Sequence, residues 1–255
     1  MERHIVIGDC HSCGEELRVL LESVIKVQPE DKIYSVGDLF DRGFRADLVF
    51  SLIQKYNIQS VQGNHERKLR LYLEGGRKFL PPHYFYAIKS LEDSGVSKEI
   101  LLTYLQSLPD MIQLPDLNAI IVHAGADPTS PLTPNVSWNV YGSSPKHVGR
   151  EVQKIKEKIG KYEEITPEES LVLKRQERWY DVYKGDIKVI FGHESQESGE
   201  PIIKKNVIGL DTKCCRGGFL TAYCIEENKF YFYQSHTDHF ALLKQKMSDD
   251  LRKGK

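Results

Sequence analysis

Ile33-Tyr34-Ser35-Val36-Gly37-Asp38-Leu39-Phe40-Asp41-Arg42-Gly43 joins a short β-branched and aromatic run to a glycine, two carboxylates and an arginine. The run reads as a buried strand, and the glycine lets the chain turn sharply off its end. The same pattern recurs on both sides. Ile5-Val6-Ile7 runs into Gly8-Asp9-Cys10-His11, and Val61-Gln62 runs into Gly63-Asn64-His65-Glu66. Further on, Ile120-Ile121-Val122 meets His123-Ala124-Gly125, and Val189-Ile190-Phe191 meets Gly192-His193. Between the early runs lie helical periods, Glu15-Leu17-Leu20-Leu21-Val24 and Ala46-Val49-Phe50-Ile53. The order βαβαβ predicts an α/β fold whose parallel strands end on one rim, where sites are built.

In full, the strand-length runs are His4 to Ile7, Lys32 to Val36, Gln59 to Gln62, Asn118 to Val122, Ile187 to Phe191, Val207 to Leu210, Phe219 to Ile225 and Lys229 to Tyr233. That is more strand than a simple doubly wound sheet needs. We expect one domain over 1–243, with helical insertions near 66–116 and 143–185 and a charged, fraying tail at 244–255. In the second insertion, Thr166-Pro167-Glu168-Glu169 reads as a helix start. Tyr84, Phe85 and Tyr86 read as core rather than as a base-stacking platform. The Lys-rich run at 151–164 reads as a solvated helical face.

The chain has 255 residues, 40% hydrophobic and 28% charged, with a formal net charge of −1. This composition suits a globular protein and argues against wholesale disorder. The even balance argues against dedicated nucleic-acid binding through a basic field. No apolar stretch is long enough to span a bilayer. The first residues carry no signal-peptide core and the five cysteines have no framework spacing, so a cytoplasmic setting is expected. Nothing in the pattern bears on oligomeric state.

Carboxylates, an amide oxygen and imidazoles suit Mn²⁺, Fe or Zn²⁺ better than Cu(I) or an iron–sulfur cluster. These groups are too many for one open catalytic ion. They suit two ions sharing a carboxylate, a device used to hydrolyse phosphate esters. Cys10 and Cys13, and the adjacent Cys214 and Cys215, read as incidental small residues. His4, His83, His147, His236 and His239 lie outside every block and read as structural or surface groups.

Taken together, the blocks resemble the calcineurin-like metallophosphoesterases, in their phosphoprotein-phosphatase branch. That branch carries GDxHG, GDxxDRG, GNHE, HAG and GH blocks in this order. The resemblance implies a β-sandwich flanked by helices (a four-layer αββα arrangement) with metals at the strand ends. It implies two divalent ions, manganese first, with iron, zinc or nickel as alternatives. The first would be held by Asp9, His11 and Asp38, and the second by Asp38, Asn64, His123 and His193, with Asp38 bridging. His65 would protonate the leaving group, oriented by Asp41, and Arg42 would clamp phosphate beside Asn64.

Three departures concern the substrate pocket. Ser12 replaces the usual glycine after the first histidine, and Lys213 stands where relatives often have glycine. No arginine adjoins Trp138-Asn139, which leaves Arg150 and Arg178 as alternatives for a second phosphate clamp. The leading expectation is a hydrolase of phosphomonoesters, Ser/Thr phosphoproteins among them, that uses metal-activated water. Leu210-Asp211-Thr212 and Gly217-Gly218-Phe219-Leu220-Thr221 also resemble dinucleoside-polyphosphate hydrolases and RNA-end phosphatases. An inactive binding module is the distant alternative, since every expected ligand position is filled.

Overall fold

The computed structural model describes residues 2–142, 158, 166 and 178–252. Among these residues ten strands form two five-stranded sheets. The first has the order β10-β9-β1-β2-β3, built from β1 (His4–Ile7), β2 (Lys32–Ser35), β3 (Gln59–Ser60), β9 (Phe219–Cys224) and β10 (Lys229–Gln234). The second has the order β4-β5-β6-β8-β7, from β4 (Met111–Leu114), β5 (Ala119–Val122), β6 (Lys188–Phe191), β7 (Ile202–Lys204) and β8 (Val207–Gly209). Strands β1, β2 and β3 are parallel, as are β5, β6 and β8.

Side-chain alternation assigns the layers. Val6, Tyr34, Ile121, Ile190 and Tyr223 share one core between the two sheets. Their neighbours Ile5, Ile7 and Ile33 face outward against α1 (Gly14–Val19), α2 (Ala46–Lys55), α4 (His83–Asp93) and α5 (Lys98–Ser107). Ile120, Val122, Val189 and Phe191 face the other way, against Trp138 of α6 (Val136–Asn139) and Trp179 of α7 (Trp179–Val182). Burial on both faces explains why these strands read as unbroken apolar runs. The expected sandwich flanked by helices is what the chain forms.

Four details differ from the sequence reading. β4 and β7 were not anticipated, and β4 closes the 66–116 segment, which otherwise carries α3 (Asn64–Leu73), α4 and α5. β4 and β7 are edge strands of four and three residues, too short to show a period. The helix after β1 continues as a π-helical segment over Leu20–Ile25, where i→i+5 geometry brings Leu20 and Ile25 to one buried face. The expected tail is the second half of helix α8 (His239–Arg252), held by fully buried Leu243 and by Tyr86, whose hydroxyl donates to Asp250 at 2.6 Å. Apart from Lys158 and Thr166 themselves, the 151–164 charge run and the helix start at Thr166-Pro167 lie outside the described residues, as do His147 and Arg150. Among the described residues no helix is long and apolar enough to cross a membrane.

One ion pair ties the start of the chain to the sheet. Arg3 donates to Asp31 through Nε (2.9 Å) and Nη2 (2.5 Å), and the Gln28 amide adds a third bond at 2.8 Å. Burial pushes the Asp31 carboxyl up, but Arg3 and the amide outweigh it and hold it below the ordinary carboxylate range. Its stabilising effect is therefore full above the unfolded value near ~4 and is lost as pH falls through the lower folded value. Asp31→Asn should lower stability in urea at pH 7, with the gap from wild type closing in strong acid. A gap that does not change with pH would remove the charge from the account.

Candidate metal centre

The parallel strands of both sheets deliver their carboxyl ends to one edge of the sandwich. β1 leads to Asp9 and His11, β2 to Asp38 and Asp41, and β3 to Asn64 and His65. From the second sheet β5 leads to His123, β6 to His193 and β8 to Asp211. The turns off these strands are tight. His11, Ser12, Asp38, Arg42, His193 and Lys213 all have left-handed φ, between 43° and 66°. Non-glycine residues held there cluster at sites whose surroundings over-determine the backbone. At Gly192 the approach is closer still, since a Cβ there would meet Asp9 Oδ1 at 2.0 Å.

The left-handed backbone accounts for two departures from the family pattern. Ser12 and Lys213 occupy conformations that glycine adopts freely. Ser12 gains something in exchange, because its Oγ accepts a bond from the Asp41 amide at 3.0 Å. Lys213 turns its ammonium away to the Glu197 carbonyl, at 2.9 Å.

Two donor groups meet at Asp38. One donor atom from each of Asp9, His11 and Asp38 lies within 4.8 Å of the others, and the same holds for Asp38, His123 and His193. Each imidazole is held through another atom of its residue or ring, as metal-binding histidines commonly are. His11 Nδ1 meets Asp41 Oδ1 at 2.5 Å, and His123 Nδ1 meets the Val36 carbonyl at 2.8 Å. The His193 amide donates to the Asp9 carboxylate at 3.0 Å.

Asp41 is buried and sits between His11 and His65, touching Nδ1 of both. The Tyr84 hydroxyl also reaches His65 Nδ1, at 2.8 Å. Arg42 spans the open side, with Nη1 2.9 Å from His11 Nε2 and Nη2 3.0 Å from His65 Nε2. Asp9, His11, Asp38, Asp41, Arg42, His65, His123 and His193 therefore arrive in one place.

The electrostatics suit cations. Burial, Asp211 and Asp38 push the Asp9 carboxyl well up, which marks a crowd of carboxylates short of positive charge. Burial and His123 push His193 down to about 3, so its imidazole is neutral and keeps a lone pair to offer. Burial likewise lowers His123 and His65, with nearby carboxylates opposing. Asn64 Oδ1 is buried with no hydrogen-bond partner among the described residues. A neutral oxygen left bare on the residue before His65 fits a metal ligand.

A calcineurin-like phosphoesterase family model matches residues 3–252. The chain is a calcineurin-like phosphoesterase. Among similar proteins, one from Oceanobacillus iheyensis is named bis(5'-nucleosyl)-tetraphosphatase PrpE [asymmetrical]. The two are 28% identical over 244 residues, 88% of this chain and 89% of that one. A protein of the same name from Geobacillus is 29% identical over 86% of this chain and 88% of its own length. A symmetrical bis(5'-nucleosyl)-tetraphosphatase from Actinobacillus pleuropneumoniae is 33% identical, over 52% of this chain and 48% of that one. A crystal structure assigned as a diadenosine tetraphosphatase shares the fold, with TM-score 0.67, 23% identity, and 91% of this chain and 93% of that one covered. So does a serine/threonine phosphatase from Saccharomyces cerevisiae, with TM-score 0.53, 14% identity, and 92% and 80% covered.

Several groups of this phosphoesterase's site went unassigned from sequence. Of the aromatic run expected in the core, Tyr84 is buried and also holds His65, whereas Phe85, on another side of α4, is exposed and Tyr86 is half-buried. His83, read as structural or surface, places Nε2 3.6 Å from Asp41 and stacks on Tyr84. Arg178, one of the two alternatives for a second phosphate clamp, pairs with Glu194, next to His193.

Glu66, the last residue of the Gly63-Asn64-His65-Glu66 block, is fully buried. Its carboxylate accepts from the amides of Gly63 (3.1 Å), Asp38 (2.7 Å), Leu39 (2.8 Å) and Phe40 (3.3 Å). It therefore fixes the loop that carries Asp38. Glu66→Gln would turn an NH₂ group toward amide donors, costing about 1–3 kcal/mol of stability. It should also weaken metal affinity by about 10–100-fold. Urea melts and Mn²⁺ titration test both, and wild-type values in each would refute the bracing role.

Proposed function

We propose that this phosphoesterase binds two divalent ions, manganese first, and hydrolyses dinucleoside polyphosphates in the cytoplasm. In this reading Asp9, His11 and Asp38 hold one ion, and Asp38, Asn64, His123 and His193 hold the other. Bound there, the ions would supply an acidified water and charge neutralisation at phosphate. The chain does the rest. Arg42 presents its fork of donors to phosphate oxygens, with Asn64 as a second phosphate-binding group. His65 holds a proton for the departing oxygen, with Asp41 and Tyr84 fixing its ring.

The observation that carries the substrate class is Phe240, half-buried at the start of α8. Its ring has the Arg42 and Arg216 guanidinium carbons each at 5.5 Å and the Lys244 ammonium at 4.3 Å. An aromatic face beside the phosphate clamp, ringed by cations, suits a nucleobase joined to a polyphosphate. The names of the relatives that span most of the chain support the same reading. The five described cysteines, all buried and unpaired, accord with a reducing compartment.

A substrate panel with diadenosine tetraphosphate, a phosphoserine peptide, a 5'-triphosphorylated RNA and nitrophenyl phosphate tests the reading. Diadenosine tetraphosphate should give the highest kcat/KM, and exhaustive chelation should abolish all four activities. A panel led by the phosphoserine peptide would restore the phosphoprotein reading. Phe240→Ala should raise KM for diadenosine tetraphosphate by the equivalent of about 1–3 kcal/mol. It should leave KM for nitrophenyl phosphate within twofold. Equal effects on the two substrates would take Phe240 out of base recognition.

A further inference from the structure

A second donor cluster lies outside the strand-end centre, where the N-terminal motif meets the C-terminal helix. Cys13 is the residue before α1, Glu16 is in its first turn, and His239 opens α8. One donor atom from each lies within 4.8 Å of the other two. Cys13 is fully buried, Glu16 is 7% exposed and His239 is half-buried. Glu16 Oε1 accepts from Ser235 Oγ at 2.8 Å and meets His239 Nε2 at 2.6 Å. Glu16 Oε2 and His239 Nδ1 are buried without a partner among the described residues. A bare carboxylate oxygen beside an under-used imidazole and a thiol is a costly arrangement unless something binds there.

We propose that Cys13, Glu16 and His239 form a third metal site, selective for a borderline ion such as Zn²⁺, that pins α8 to α1. The donor types set the class. One sulfur, one imidazole and one carboxylate suit zinc or cobalt, whereas manganese and magnesium prefer oxygen. Zinc lies about 2.0–2.3 Å from such ligands, which sets its donors about 3–4 Å apart, inside the observed spread. Binding displaces the thiol proton of Cys13 to solvent and replaces the Glu16–His239 bond, with no change of oxidation state. The Cys13 thiol donates to the His11 carbonyl at 3.7 Å, and Cys214 falls outside the 4.8 Å group. The position has a consequence for the catalytic edge, because His239 precedes Phe240 and the ion would fix that ring beside Arg42.

Cobalt gives a readout that the catalytic centre cannot produce. The strand-end ligands contain no sulfur, so a near-ultraviolet thiolate-to-cobalt charge-transfer band reports Cys13 alone. In reduced full-length protein already loaded with Mn²⁺, added Co²⁺ should raise this band to saturation at about one equivalent, and Zn²⁺ should bleach it. His239→Ala and Glu16→Gln should each weaken Co²⁺ binding at least about tenfold, and Cys13→Ser should remove the band. Neither His239 nor Glu16 touches the catalytic ligands, so both variants should keep Mn²⁺-dependent hydrolysis of nitrophenyl phosphate. That activity also certifies their fold. Absence of the band in wild type at saturating Co²⁺ overturns the proposal. So does a band of unchanged affinity in His239→Ala and Glu16→Gln, or one that survives in Cys13→Ser.

Discussion

Asp38→Asn is expected to cut kcat by more than about 10³-fold while leaving the fold intact. The carboxylate is buried, with Oδ1 3.3 Å from His123 Nε2 and Oδ2 3.7 Å from both His11 and His65 Nε2. Burial pushes its carboxyl up, yet the facing imidazoles of His123, His65 and His11 prevail and hold it far below the ordinary range. It is therefore a full negative charge common to both donor groups. An amide of the same shape offers one neutral oxygen and cannot offset the repulsion of two ions. The loss should exceed the roughly 10–100-fold in metal affinity or activity that follows removal of an outer partner. Asparagine is also the substitution the backbone tolerates, because Asp38 has φ 53° and Asn enters that region more readily than most residues. Elemental analysis should find fewer than two metals per chain, and circular dichroism should match wild type. Two bound metals with near-normal turnover would show that Asp38 does not bridge.

The rim was legible in the sequence because each strand end carries its own local signature. A β-branched run buried on both faces is followed at once by a glycine or a ligand, as in Val36-Gly37-Asp38 and Phe191-Gly192-His193. What the pattern could not show is set by contacts distant along the chain. Phe240 reaches the clamp from nearly two hundred residues beyond Arg42, on a helix whose charged second half looks like a tail. His239 meets Glu16 across a separation of 223 residues, so neither looks unusual in its own neighbourhood. Glu66 was in view but without a role, because four backbone amides leave no trace in side-chain chemistry. Strand β7 escaped for a different reason. It has three residues, of which only Ile202 is buried, so no alternation develops.

His65→Asn separates the chemistry of the leaving group from that of binding. Phosphate hydrolysis leaves negative charge on the departing oxygen, and protonation matters most when that oxygen is strongly basic. A seryl alkoxide needs the proton. A nitrophenolate does not, and neither does the terminal phosphate of a nucleotide leaving a polyphosphate. His65 is placed for this role, with Nδ1 held by Asp41 and by Tyr84 at 2.8 Å and Nε2 turned toward Arg42 at 3.0 Å. Loss of a general acid typically costs about 10²–10⁴-fold. That range should appear on a phosphoserine peptide, with a distinctly smaller loss on nitrophenyl phosphate and on diadenosine tetraphosphate. Asp41→Asn should show the same bias at reduced amplitude, because it loosens His65 without removing it. It should also weaken metal binding, since Asp41 meets His11 Nδ1 at 2.5 Å as well. Measurements of kcat/KM for the three substrates at matched metal occupancy decide the matter. Equal losses on all three would assign His65 to positioning metal or phosphate instead. A large loss on diadenosine tetraphosphate alone would mean that His65 contacts the nucleotide, not the departing oxygen. If the bias holds, a polyphosphate hydrolase on this scaffold depends less on His65 than a phosphoprotein phosphatase would, because its natural leaving group already departs as a stable anion.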